Sequence, residues 1–219
     1  MKLLAIDTAT EACSAAVWND GEVSSRDELA PRRHTELLLP MIEAVMTEQG
    51  LAKHELDALA FGRGPGSFTG VRIATSVIQG LALATGLGVV PVSTLAAMAQ
   101  GARRRHDAVA ATACLDARMG EIYWGNYRCD QNGVMQLAGE ELLSDPIDLV
   151  MPARGLAVGP GFGAYPQLSA GYDGIDQTLL PSARDMLPLA LEQYRRAGAL
   201  PAAAALPTYL RDKVSWNKP

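Results

Sequence analysis

The chain is poor in the residues that build disulfide frameworks and metal centres. It has three cysteines, Cys13, Cys114 and Cys129, in 219 residues. No two stand at CxxC spacing, which argues against a disulfide scaffold or a zinc site and for a reducing compartment. Three histidines occur, His34, His54 and His106. None is followed by a second at i+3 or i+4, so the paired spacing of a helical metal site is missing. Positive charge is also in short supply. Nineteen basic against 24 acidic residues leave a net charge of −5. That speaks against a strong nonspecific grip on phosphates, although one local basic patch is compatible with it. The first apolar run, Leu3 to Ile6, stops at Asp7. It is too short for the hydrophobic region of a secretory leader, and a cytoplasmic location is expected.

What is present is ordinary globular material, 48% hydrophobic and 20% charged. The length suits one large domain or two small ones, and a core that needs no covalent staple. Ile73 to Ala102 carries no charge at all. Gly86, Gly88 and Pro91 interrupt it, so it reads as a buried helix–strand–helix run rather than a bilayer span, and no membrane association is expected.

Residues 3–6, ending in Asp7, have the continuous apolar pattern of a central strand. Strands follow at 12–18 and 22–29, joined by Asn19-Asp20-Gly21, a tight-turn signal. A helix spans about 33–49, with Pro40 inside it and Gly50 as its stop. Then come a strand at 58–61, a glycine-rich loop at 62–70, a helix at 69–85, a strand at 89–92 and a helix at 94–103. A meander feeding alternating strands and helices predicts an α/β fold with a mixed sheet. Past Arg103-Arg104-Arg105-His106 the pattern restarts, with strands at 109–116, 121–127, 134–138 and 155–159. Ser182 and Asp185 resemble a capping box opening a helix to Arg196. No internal repeat is evident from residue matches.

Several positions could carry chemistry. Asp7 ends a strand and is followed by Thr8 and Thr10. A carboxylate there can hold a hydrated cation against a phosphate, or simply cap the backbone of its own turn. The loop Gly62-Arg63-Gly64-Pro65-Gly66-Ser67-Phe68-Thr69-Gly70 joins a strand to a helix, where glycines and a helix N-terminus favour anions. It lacks the lysine of a P-loop, every frame of GxGxxG, and the GxSxG elbow. It is therefore either a weak anion or nucleotide site formed by Asp7, Gly64, Gly66, Ser67 and Thr69, or a tight turn capped by Ser67 or Thr69. His34 reads as a surface residue at a helix start. Asp116, Arg118 and Glu121 surround one turn. No Ser/His/Asp set suggests a peptidase.

The helices at 33–49 and 69–85 are more apolar than one buried face requires. In the second, Ser76, Gly80 and Ala84 form a small-residue stripe that lets another helix approach closely. A partner subunit covering both helices is expected; the alternative is burial by the second half of the same chain.

The segments LLAIDTAT (3–10), RRHTELLLPMI (32–42), FGRGPGSFTGVRIATS (61–76), LDARMGEIYW (115–124) and PTYLRDK (207–213) together resemble the TsaB (YeaZ) family, which serves the synthesis of threonylcarbamoyladenosine in tRNA. One departure is Ala74, where the family usually has glycine. The resemblance implies an actin/Hsp70/sugar-kinase-like (ASKHA) fold of two RNase-H-like subdomains, here 1–104 and 105–181, with 182–219 returning as a C-terminal helix and tail. It implies a non-catalytic, cytoplasmic scaffold that needs no cofactor or metal. The related catalytic subunit TsaD carries a His-x-x-x-His, and the matching stretch near Thr94 to Gln100 has no histidine. The family's dimer is a bundle of the first two helices of each partner. On that basis the chain is expected to bind TsaD through Leu37, Leu38, Met41, Ile42, Val45, Val71, Thr75, Ile78 and Ala82. The ATPase TsaE would join the pair, the chain could pair with itself when alone, and tRNA would be met only through the complex. The competing expectation is an independent small ATPase or phosphotransferase using Asp7 and the 62–70 loop.

Overall fold

The computed structural model describes residues 1–147, 149, 151 and 155–211. Asp212 and Lys213 of the PTYLRDK segment, with residues 214–219, lie outside the described residues.

The first sheet grows from β1 (Lys2–Asp7), β2 (Ala12–Asn19) and β3 (Glu22–Leu29). The Asn-Asp-Gly turn folds β3 onto β2 with positive φ at Asp20 (48°) and Gly21 (112°), the handedness that matches strand twist. α1 (His34–Glu48) follows, with Pro40 accommodated inside it. β4 (Ala58–Gly62), α2 (Phe68–Thr85) and β5 (Val89–Val92) complete the sheet in the order β3-β2-β1-β4-β5. β4 and β5 run parallel to β1. The central strands β1 and β4 are almost wholly buried, as their unbroken apolar runs require.

α3 (Thr94–His106) leads to β6 (Ala110–Arg118), β7 (Glu121–Cys129), β8 (Met135–Leu137) and β9 (Leu142–Ser144). β10 (Leu156–Val158), the short α4 (Pro160–Ala164), β11 (Gly174–Asp176) and α5 (Ala183–Ala197) follow. The second sheet is ordered β11-β10-β6-β7-β8, with β9 on the end of β7. Read from β8, an antiparallel meander of three strands is extended by two parallel ones, the same order as in the first sheet. The fold is therefore two RNase-H-like α/β units of one topology, the ASKHA arrangement. The sequence does not display this repeat as residue matches, because topology constrains only burial pattern and turn chemistry.

The helices between the sheets exchange places. Leu95, Met98, Ala99 and Ala102 of α3 pack on Ala111, Ala113, Leu115 and Val158 of the second sheet. Met186, Leu187 and Ala190 of α5 pack on Leu3, Ala5, Ala16 and Ala60 of the first. Ser182 caps α5 by accepting from the Arg184 amide (3.2 Å). The expected capping box is only half present, because Asp185 turns to Arg104 instead (2.6 and 3.0 Å). Asp185 is 2% exposed and needs that guanidinium. Asp185→Ala strands a cation against α5 and should lower the unfolding midpoint measurably in a denaturant titration, by about 1–2 kcal/mol once the part-exposed Arg104 is allowed for.

Candidate partner interface and the glycine loop

α1 and α2 cover the face of the first sheet opposite α5. Leu38, Met41, Ile42 and Val45 of α1, with Ala74, Ile78 and Ala82 of α2, pack on Leu4, Ile6, Ala15, Val17, Leu59 and Phe61. Of the nine residues expected to meet a partner, eight are thus inside this chain. Leu38, Met41, Ile42, Val45, Val71, Thr75, Ile78 and Ala82 are all 8% exposed or less, and Leu37 is half-buried. The wide apolar stripe packs on the chain's own first sheet, and Ala202 and Ala205 of the C-terminal segment join the same core. Thr75 spends its hydroxyl on the Val71 carbonyl (2.8 Å).

What α1 and α2 turn outward is different. Leu39 is 52% and Leu83 77% exposed. Ser76, Gly80 and Ala84 are exposed, and Ile73 and Val77 are half-buried beside them. A Cβ added at Gly80 would meet nothing within 4 Å. The small-residue stripe therefore faces open space, leaving a shallow track along α2. At the C-terminal ends of the two helices it meets a groove of about 580 Å³ lined by Glu43, Met46 and Thr47 of α1 and Ala84 and Thr85 of α2.

The glycine loop is closed rather than open. Ser67 is the cap of α2, its hydroxyl accepting from the Gly70 amide (3.3 Å). The Ser67 amide donates to the Ala9 carbonyl (2.7 Å) and is not free for an anion. The β1–β2 connection lies directly on the loop. A Cβ at Gly66 would sit 2.3 Å from the Ala9 carbonyl oxygen, and one at Gly70 2.0 Å from that of Thr8. Thr8 Oγ1 also donates to the Gly70 carbonyl (2.7 Å). Gly70→Ala should therefore force two backbones apart and destabilise by roughly 2–3 kcal/mol, seen as a lower midpoint in urea.

Asp7 is fully buried at the end of β1. One carboxylate oxygen accepts from the Ala9 amide (3.0 Å) and the other has no partner. Gly62 presses against it, since a Cβ there would fall 1.8 Å from that oxygen. Burial, with Asp27 adding a like charge, pushes the acid up to about 7, against the single amide that lowers it. Of the five residues considered for an anion site, Asp7 and Gly64 are buried, Gly66 is half-buried, and Ser67 and Thr69 are exposed.

Other expectations resolve locally. His34 is not a surface residue: it is 8% exposed and its Nε2 meets the Thr10 carbonyl (2.9 Å), tying α1 to the β1–β2 turn. The basic run at the end of α3 is partly neutralised, Arg103 by Asp107 and Arg104 by Asp185. Sequence reasoning missed a polar row across the first sheet, in which Asp7, Ser14 and Asp27 stand opposite one another. Ser14 accepts from the Ala183 amide (2.9 Å), so α5 begins on this row. It also missed Tyr209, which joins Phe68 and Arg72 on the surface. Among the described residues no three His, Cys, Asp or Glu side chains are grouped to hold a metal ion, and no helix is long and apolar enough to cross a membrane.

Comparison with known proteins supplies a further finding. Residues 23–151 match the family model described as TsaD, tRNA N6-adenosine threonylcarbamoyltransferase. The chain is 45% identical to the tRNA threonylcarbamoyladenosine biosynthesis protein TsaB of Escherichia coli strain K12, covering 100% of this chain and 98% of that one. It is 40% identical to the Haemophilus influenzae protein of the same name, over 100% and 97%. Among solved structures, YeaZ from Pseudomonas aeruginosa superposes with a TM-score of 0.91 at 45% identity, covering 95% of this chain and 99% of that chain.

Proposed function

The chain belongs to the TsaB family, within the wider group that the TsaD family model describes, and from that premise we propose that it is a non-catalytic dimerisation subunit. It binds a TsaD-type transferase and supports threonylcarbamoyl transfer to adenosine beside the tRNA anticodon. A TsaE-type ATPase joins the pair, and the complex works in the cytoplasm.

One observation carries this reading: α1 and α2 bury their broad apolar stripe in their own sheet and still present a second, outward face of small and apolar residues. Ser76, Gly80 and Ala84 allow a facing helix to approach to the short end of the usual 8–10 Å spacing. Leu39 and Leu83 supply large apolar groups at a cost in exposed surface that a partner removes. The partner residues are accordingly assigned outward, to Leu39, Ser76, Gly80, Leu83 and Ala84 with the half-buried Leu37, Ile73 and Val77. The closed glycine loop and the sealed Asp7 support a structural role over an independent phosphotransferase.

The test is reconstitution. Supplied with an activated threonylcarbamoyl donor and the TsaE-type ATPase, the TsaD-type protein of the same organism should leave tRNA unmodified without this chain and give threonylcarbamoyladenosine with it, read by mass spectrometry of nucleosides. Saturable nucleotide turnover by the isolated chain, lost in Asp7→Ala, would instead establish the phosphotransferase.

A further inference from the structure

Phe68, the first residue of α2, is 58% exposed, and Tyr209 is 44% exposed. Their ring centroids lie 6.0 Å apart at a tilt of 34°. The Arg72 guanidinium lies 3.5 Å above the Phe68 ring and donates to the Tyr209 hydroxyl (2.9 Å). Among the described residues no carboxylate pairs with Arg72, whereas the neighbouring Arg118 has Asp116 (3.1 Å) and Arg211 has Glu121. The cluster is therefore two solvent-facing rings and one exposed cation that has no carboxylate partner among the described residues.

The cluster is also held in place. Tyr209 belongs to a segment that crosses the molecule. The Thr208 amide donates to the Arg63 carbonyl (2.7 Å), and Arg63 returns a bond to the Thr208 hydroxyl (3.0 Å). Two residues on, Arg211 grips the β6–β7 turn through the Ala117 and Arg118 carbonyls (3.2 and 3.3 Å). That turn carries positive φ at Arg118 (63°) and Met119 (58°), a backbone state that costs energy for residues other than glycine. A surface that exposes one aromatic ring on α2 and another on a tethered segment has paid its ordering entropy before any ligand arrives.

We infer that the Phe68–Arg72–Tyr209 cluster is a stacking platform for an unpaired nucleotide of tRNA. Every base has a π-face that can stack on an aromatic ring, and a guanidinium with N–H groups beyond the one given to Tyr209 suits the attached phosphate. The inference rests on the reading of this chain as part of a tRNA-modifying complex. It makes the contact with tRNA direct, where the family resemblance implies one made only through the complex. The net charge of −5 fits such a site, because stacking and a single phosphate contact do not require a broad basic face.

The experiment is fluorescence anisotropy with labelled tRNA, using the full chain alone and assembled with its transferase, across a salt series. Phe68→Ala and Tyr209→Ala should each weaken tRNA binding about tenfold or more, the usual loss for one stacked base. Arg72→Gln should flatten the slope of log K against log salt by about 0.7, the value for one single-strand phosphate contact. Light scattering of each variant should show assembly with the transferase unchanged. Unaltered tRNA affinity in all three variants, or no tRNA binding by the wild-type chain in either form, overturns the inference. If a variant loses the transferase instead, the cluster is a protein contact and the inference is equally overturned. If the wild-type chain fails to assemble at all, the scaffold reading falls, and binding by the chain alone decides this one.

Discussion

Gly80→Arg should abolish binding to the transferase partner while leaving the fold intact. Gly80 is exposed in the middle of α2, and a Cβ there meets nothing within 4 Å. Replacing a helical glycine removes backbone entropy from the unfolded chain and favours the helix by up to about 1 kcal/mol. The unfolding midpoint should therefore stay level or rise. In the complex the same side chain would stand where a second helix has to lie. Burying an unpaired cation costs about 3 kcal/mol or more, which is at least a hundredfold in Kd. Calorimetric titration of the variant against the transferase should show that loss, and circular dichroism should show none of helix. Ile78→Glu gives the contrast. Ile78 is wholly buried among Leu38, Ile42 and Phe61 in the first core. A carboxylate there has no partner and consumes much of a domain's usual 5–15 kcal/mol of stability. It should lose the fold and the partner together, and so cannot report on the interface.

The second large effect is on stability against pH. The Asp7 carboxyl sits at about 7 in the folded chain, against 3.8 for a free aspartate. Between those values the folded state holds a proton that the unfolded state has released. The stabilisation this gives is complete below about pH 3.8 and is lost as pH rises through 7. Three units correspond to something on the order of 4 kcal/mol. Asp7→Asn removes the titration, keeps an acceptor for the Ala9 amide, and leaves an unpartnered amino group in place of the orphaned oxygen. That last exchange costs roughly 1–3 kcal/mol at any pH. At pH 8 the variant should melt about 4–8 °C above the wild type, the usual shift for some 2 kcal/mol in a chain of this size. At pH 4 it should melt at or below the wild type. Parallel melting curves for the two proteins from pH 4 to 8 would show that Asp7 is not the titrating group.

The parts of the fold that were legible in advance are those written locally. The Asn19-Asp20-Gly21 turn, the uninterrupted run at 3–6 and the Ser67 cap each depend on neighbouring residues, and each stands where the sequence places it. β9 and β11 are three residues long and show no alternation that a reader could detect. Their pairing is set by the strands they join. His34 was misread because its burial depends on the Thr10 carbonyl, twenty-four residues away. Asp185 left its expected capping role for Arg104 on a different helix.

Which face of α1 and α2 turns inward was not legible for a related reason. Amphipathic periodicity reports how much of a helix is covered, and says nothing about what covers it. In α1 and α2 the large apolar residues serve the sheet, whereas the outward face is marked by small ones. The Ser76, Gly80, Ala84 stripe was visible in the sequence, and the structure leaves it exposed. Tyr209 could not be linked to Phe68 and Arg72 from sequence, because 137 residues separate it from Arg72.

The most direct measurement is multi-angle light scattering behind size exclusion, on this chain, its transferase partner, and their mixture. A mixed species heavier than either component alone is expected, and two separate peaks when Gly80→Arg replaces the wild type. A mixture in which the wild-type chain and the partner elute independently at every concentration would contradict it. So would a complex that Gly80→Arg leaves whole.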